Sequence, residues 1–148
     1  MRRSDLKAIV LGGLVAGTID IGAASLITML SPVFILKFIA GGLLGKAALA
    51  GGMEIALLGL LLQWLMSILI AAIYVFASRW LPASRSKWIV FGLCYGATVF
   101  FVMNYAVVPL SAWHRIPHFT LYSFCANLAA MLLFGLIVGF FARGRGPA

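Results

Sequence analysis

Four side chains stand out because they are strongly polar and sit inside long apolar stretches: Asp20, Gln63, Asn104 and Asn127. A carboxyl such as Asp20 can hold a cation or carry a proton, and an amide offers both donors and an acceptor. A carboxylate facing lipid costs roughly 2.5–3.5 kcal/mol on the insertion scale, so it turns inward and finds partners. An ionisable group at membrane depth is for that reason a functional candidate.

The elements that must position these groups follow from composition. The chain has 148 residues, 64% of them hydrophobic and 9% charged. Soluble domains carry about 25% charged residues. A water-soluble globule of this size still exposes roughly 30% of its unfolded-chain surface, too much for so apolar a sequence. Lipid can solvate the excess. About 20 mainly apolar residues cross a bilayer, and four stretches qualify: 6–30, 53–77, 88–110 and 121–142. They are long and do not alternate, which excludes a β-barrel. The expected fold is all-α, one membrane domain (residues 1–148) built as a four-helix bundle.

The segment 33–50 is apolar but carries Lys37, Lys46 and several glycines. With four spans, one side collects Arg2, Arg3, Lys7, Arg79, Arg85, Lys87, Arg143 and Arg145, and the other only Lys37, Lys46 and Arg115. The positive-inside rule then puts both termini in the cytoplasm. It makes 33–50 a short interfacial or re-entrant helix on the outer side. Arg2-Arg3 before an apolar run, with Gly22-Ala23-Ala24 after it, is also the pattern of a cleavable signal. Asp20 inside the run and its continuation through Leu30 favour a retained span.

Depth along a helix follows from its rise of about 1.5 Å per residue. Counted from the inner charges, Asp20 lies roughly 20 Å in, Gln63 roughly 22 Å, and Asn104 and Asn127 roughly 24–26 Å. Each span therefore offers one polar side chain, all within about one turn of the same level in the outer half. Asp20 shares a face with Gly13 and Gly17, and Gly59, Gln63 and Ser67 form a matching stripe. Those two faces are expected to meet. Gly13/Gly17 and Gly92/Gly96 are each Gly-x-x-x-Gly pairs, whose plain meaning is close helix packing.

Other polar residues have simpler accounts. Glu54 begins a span, where a helix N-terminus favours a carboxylate. His114 and His118 are separated by Pro117 and lack a third ligand nearby, so no metal is expected. Trp113 reads as part of an interfacial aromatic belt. Cys94 and Cys125 read as apolar packing, and their depths of roughly 10 and 27 Å keep them from pairing.

The net charge of +8 comes from residues that punctuate the ends of apolar runs, the pattern of topology signals and anionic headgroup contacts. No basic face reads as a nucleic-acid surface. No zinc-protease, hydrolase-elbow, phosphate-loop or Cys-x-x-Cys motif is present, so neither an enzyme nor a cofactor is expected.

Gly41-Gly42-Leu43-Leu44-Gly45, Gly51-Gly52, Leu57-Leu58-Gly59, Tyr95-Gly96 and Val102-Met103-Asn104-Tyr105-Ala106-Val107-Val108-Pro109-Leu110 are the residues of a wider likeness. Over residues 40–111 the chain resembles a group of small, uncharacterised bacterial inner-membrane proteins. The resemblance implies a multi-pass protein of the bacterial cytoplasmic membrane and no particular activity. It also implies a histidine where this chain has Gln63, a departure that weakens the idea of a titrating pair with Asp20.

Two functions are consistent with the sequence. One is a membrane protein that binds or passes a small solute or proton at the layer Asp20, Gln63, Asn104 and Asn127. The other is an accessory subunit of a larger membrane complex with no site of its own. The expected partners are the bilayer and either a second copy or another membrane protein.

Overall fold

The computed structural model describes residues 1–81 and 86–144. Arg85 and Arg145, two of the charges used above for orientation, lie outside the described residues.

The first helix, α1 (Arg3–Thr28), starts where the Asp5 carboxylate accepts the Arg2 N–H at 3.3 Å. It ends at Met29, which adopts the left-handed conformation at φ 57. Two residues later Ser31 caps α2 (Pro32–Leu44), its Oγ accepting from the Phe34 N–H, and Pro32 fills the first-turn position that needs no donor. Gly45, at φ 75, then breaks the helix into a 3-10 turn, Gly45–Ala50. A residue with a Cβ would be strained there, which makes this break a glycine position.

Three long helices follow. α3 is Met53–Trp80, α4 is Trp88–Leu110, and α5 is Leu121–Arg143, capped by Thr120 and Ser123. Within α4 the span Met103–Val107 winds as a π turn, with the Val108 N–H reaching back five residues to the Met103 carbonyl. Pro109 explains the loosening. It has no N–H for the Tyr105 carbonyl, and its ring crowds that carbonyl in a regular helix.

Five helical stretches are long and apolar enough to cross a membrane: Arg3–Thr28, Pro32–Ala50, Met53–Trp80, Trp88–Leu110 and Leu121–Arg143. Their outward faces fit that reading. Leu57, Leu61, Leu65, Leu69 and Ile73 form an exposed stripe down α3. Such a stripe suits hydrocarbon rather than water. The sequence ranges differ from these bounds by a turn or less at each end. The stretch beyond the four expected, Pro32–Ala50, is the segment expected as an interfacial or re-entrant helix.

α1 and α3 run antiparallel. Arg79 meets Asp5 at one end, Ser67 faces Gly17 mid-way, and Gln63 meets Asp20 further up. The end of α1 and the start of α3 are therefore level with each other. The chain between them, Pro32–Ala50, leaves and returns at the same end of this pair. On the way α2 passes over α3 at Gly59, whose missing side chain leaves room for the Leu36 carbonyl. It then docks on the loop after α4. The Trp113 ring stacks on Phe38 at 4.5 Å, its Nε1–H donates to the Phe38 carbonyl, and the Ala112 N–H donates to the Gly42 carbonyl at 2.8 Å.

α5 closes the bundle against α1 and α4. Gly92 and Gly96 of α4 face Gly135 of α5 so closely that a Cβ on Gly135 would lie 2.8 Å from the Gly96 Cα. The core of α1, α3 and α5 is built from Ala8, Ala16, Ala71, Val75, Phe134 and Val138. Small residues let the backbones approach where lipid offers no hydrophobic drive for association.

Candidate functional site

Glycine places Asp20. On α1, Gly17 and Gly13 lie one and two turns below it on the same face. A Cβ on Gly13 would meet the Ile68 Cα at 2.7 Å, and one on Gly17 the Ser67 Cβ at 2.8 Å. With α3 this near, Gln63 reaches across, and its Nε2 donates to Asp20 Oδ2 at 2.9 Å. One residue on, Trp64 Nε1 donates to Thr18 Oγ1 at 3.1 Å, a second strut on the same seam.

The asparagines are held differently. Asn104 sits in the π turn and donates Nδ2 to the carbonyl of Phe100 at 2.8 Å. Asn127 donates Nδ2 to the carbonyl of Ser123 at 2.7 Å. A backbone carbonyl only accepts, so these bonds fix which end of each amide is nitrogen. In both residues Oδ1 has no donor among the described residues and keeps its acceptor capacity.

All four polar side chains line one cavity of about 190 Å³. Each comes from a different helix of the set α1, α3, α4 and α5. Three methionines, Met66, Met103 and Met131, complete the walls. On the side toward the Asp5–Arg79 end the cavity is floored by Ile70, Val99, Phe100 and Phe134. Phe100 is fully buried, with the rings of Phe119 and Phe124 packed around it. Beneath the floor Tyr95 donates to the Ile70 carbonyl at 2.7 Å and meets Tyr74 edge to face. Val75 and Val138, both fully buried, pack further down the bundle.

The cavity is rich in acceptors. Asp20 supplies a carboxylate and the three amides an oxygen each; every amide spends one of its two N–H groups, Gln63 on that carboxylate and the asparagines on their own helices. What remains suits a cation or a hydrogen-bond donor more than an anion.

A second cavity of about 290 Å³ lies beside the first, under α2. The two share Gln63, Met66, Met103 and Val108 as a common wall. Phe38, Ile39, Leu43, Leu62 and Trp113 make the rest of it apolar.

The structure departs from the sequence expectations at Gly59 and at the two cysteines. Gly59 does not continue the stripe toward α1; it faces α2, because a stripe at i, i+4 and i+8 drifts around the helix and the lower neighbour is not the upper one. Cys94 and Cys125 are exposed on the outer faces rather than packed inside, and both are free thiols. Trp113 also latches α2, through its stack on Phe38 and its bond to that carbonyl. Glu54 accepts from the Gly52 N–H at the start of α3. Gly13, Gly17, Gly92 and Gly96 all pack within the protomer. Among the described residues no group of three or more His, Cys, Asp or Glu could hold a metal ion.

One pair escaped the sequence reading. The Asp5 carboxylate, almost buried, accepts from Arg79 at 2.7 Å and ties the lower ends of α1 and α3 together. The signal was present: opposite charges at matching ends of two antiparallel helices. Arg79 read only as a topology charge.

No family model, curated protein or solved structure matches this chain. Its function is therefore read from geometry.

Proposed function

We propose that the chain is a multi-pass protein of the bacterial cytoplasmic membrane whose outer-half chamber binds a small solute or a proton at Asp20. In this reading α1, α3, α4 and α5 span the bilayer, with both ends of the chain in the cytoplasm. Pro32–Ala50 is a re-entrant cover on the outer side. Its return to the end of the α1–α3 pair from which it left supports four spans over five. So does the crowding of Arg2, Arg3, Lys7, Arg79, Lys87 and Arg143 at the opposite end.

The observation that carries the proposal is that four polar side chains, one from each spanning helix, line a single cavity. An interhelical clasp, the chief alternative for an accessory subunit, would have these groups bond one another across helices. Gln63 and Asp20 do so, but Asn104 and Asn127 bond back to their own helices. The fully buried Phe100, Val75 and Val138 below the cavity favour binding from the outer side over an open through-path.

Cysteine accessibility tests the reading. Asn127→Cys is placed in a Cys94→Ala, Cys125→Ala background and challenged with a small membrane-impermeant thiol reagent. Labelling from the outer side alone is expected. Protection from both sides, in a protein that purifies monodisperse, would leave the structural clasp and redirect the search to a co-purifying partner.

A further inference from the structure

The proposed site has two unlike halves that touch. The acceptor-rich chamber holds Asp20, Asn104 and Asn127. The apolar cavity under α2 adjoins it through Gln63, Met66, Met103 and Val108. We propose that these two cavities are one binding site for a hydrophobic amine, with its ammonium group against Asp20 and the asparagine oxygens and its apolar body under α2. The inference rests on the function proposed above and names the ligand class for that site.

The head group is set by what the polar residues leave over. A carboxylate flanked by amide oxygens, with one N–H of each neighbouring amide already engaged, leaves acceptors in excess of donors and complements a charged donor. A carboxylate or phosphate on the ligand would meet like charge at Asp20. A lone inorganic cation would use the first chamber and leave the second unexplained.

The body is set by the second cavity. It is larger than the first, and its lining is aromatic and aliphatic apart from the shared Gln63 and the rim residue Ser111. Pockets that take organic ligands have this composition, apolar walls with a few convergent polar groups. The wall common to both cavities contains Met66 and Met103. Methionine is unbranched and adapts its rotamer, so this neck can yield to a chain passing between the chambers.

Gly42 gives a way to test the two halves separately. It lines the apolar cavity, and a Cβ there would find only Ser111 Cβ, at an ordinary 3.9 Å. Its carbonyl bond to the Ala112 N–H uses backbone atoms alone. Gly42→Leu should therefore fill the apolar half while keeping the dock of α2.

The experiment uses the full chain in phosphatidylcholine nanodiscs, with empty nanodiscs as the partition control. Radiolabelled phenethylammonium is the probe. Methylammonium and 2-phenylethanol, the head alone and the uncharged isostere, are competitors. The expected result is saturable binding that methylammonium and 2-phenylethanol displace at least tenfold less well than unlabelled phenethylammonium. Asp20→Asn should weaken binding at least tenfold. Gly42→Leu should weaken phenethylammonium far more than it weakens methylammonium. Equal affinity for phenethylammonium and methylammonium, with Gly42→Leu silent, would overturn the hydrophobic-amine assignment while leaving a small-cation site at Asp20. Equal displacement by 2-phenylethanol would overturn recognition of the ammonium. Absence of saturable binding to protein that elutes monodisperse would overturn the hydrophobic-amine assignment, and labelling of Asn127→Cys from the outer side decides separately whether the chamber it rests on stands.

Discussion

Gln63 Nε2 and Asp20 Oδ2 lie 2.9 Å apart, and the same two helices are tied at their other end by Arg79 and Asp5 at 2.7 Å. Two polar ties thus bracket a seam whose middle is glycine against Ser67 and Ile68. Each tie has a distinct energetic signature.

At the upper tie, Asp20→Ala and Gln63→Ala should couple. Interhelical hydrogen bonds in membranes average about 0.6 kcal/mol and reach about 1.7 kcal/mol. A charged acceptor places this one toward the top, so a double-mutant cycle should return a coupling of ~1–2 kcal/mol. Steric trapping in bicelles measures it, and additive single mutants would contradict the bond.

At the lower tie, the partners should respond unequally. The Asp5 side chain is 9% exposed and the Arg79 side chain 43%. Removing Arg79 takes the opposite charge from a nearly buried carboxylate and leaves it the Arg2 N–H, whereas removing Asp5 frees a guanidinium that can reach water and stays over the Phe76 ring. Arg79→Ala should cost ~1–3 kcal/mol and Asp5→Ala less. The reverse order in the same unfolding assay would mean that the Asp5 carboxylate is not held by Arg79.

Glycine substitutions should split by sign. Gly135→Ala drives a methyl group into the backbone of Gly92 and Gly96 and should destabilise by at least ~2 kcal/mol. Gly22, also helical, has nothing within 4 Å of its missing Cβ. Gly22→Ala should stabilise by ~0.5–1 kcal/mol, because alanine loses less conformational freedom on folding. A loss at Gly22 would reveal a neighbour on that face.

Trp113→Ala should loosen one segment selectively. The ring stacks on Phe38, bonds its carbonyl and covers Gly41. Amide exchange over residues 32–50 should quicken in the variant while the cores of α1, α3 and α5 keep their protection. Uniform protection would mean that the contacts with α3 hold α2 unaided.

Topology is open to direct labelling. Lys46→Cys and Arg115→Cys should react with impermeant reagents from the outer side, and Lys87→Cys only after the inner side is opened. If Pro32–Ala50 crosses the bilayer instead, Lys46→Cys would be silent from outside.

Much of the architecture is legible in the sequence because helical rise is regular. Counting residues from the inner charges puts Asp20, Gln63, Asn104 and Asn127 at one level, and those four line one cavity. Rotation about each helix axis is harder to read. These helices are apolar nearly all round, so hydropathy does not mark which side faces in. That is why Cys94 and Cys125 lie on the outer faces and Gly59 meets α2. Composition alone does not give the path of Pro32–Ala50 either, since an apolar segment that returns has the composition of one that crosses, and only the charge distribution points to a return. Its route depends on a left-handed glycine at 45 and a tryptophan far along the chain.

The π turn of α4 lies in the wall that the two cavities share, through Met103 and Val108. An N–H that reaches back five residues closes a wider turn than one that reaches back four, so the turn takes up one surplus residue locally and the helix beyond it keeps nearly the facing of a regular helix. Asn104 lies near the start of the turn and Trp113 beyond its end. The surplus residue is thus a swelling in a partition: it broadens the wall between the polar room and its apolar antechamber while the indole beyond stays on its dock.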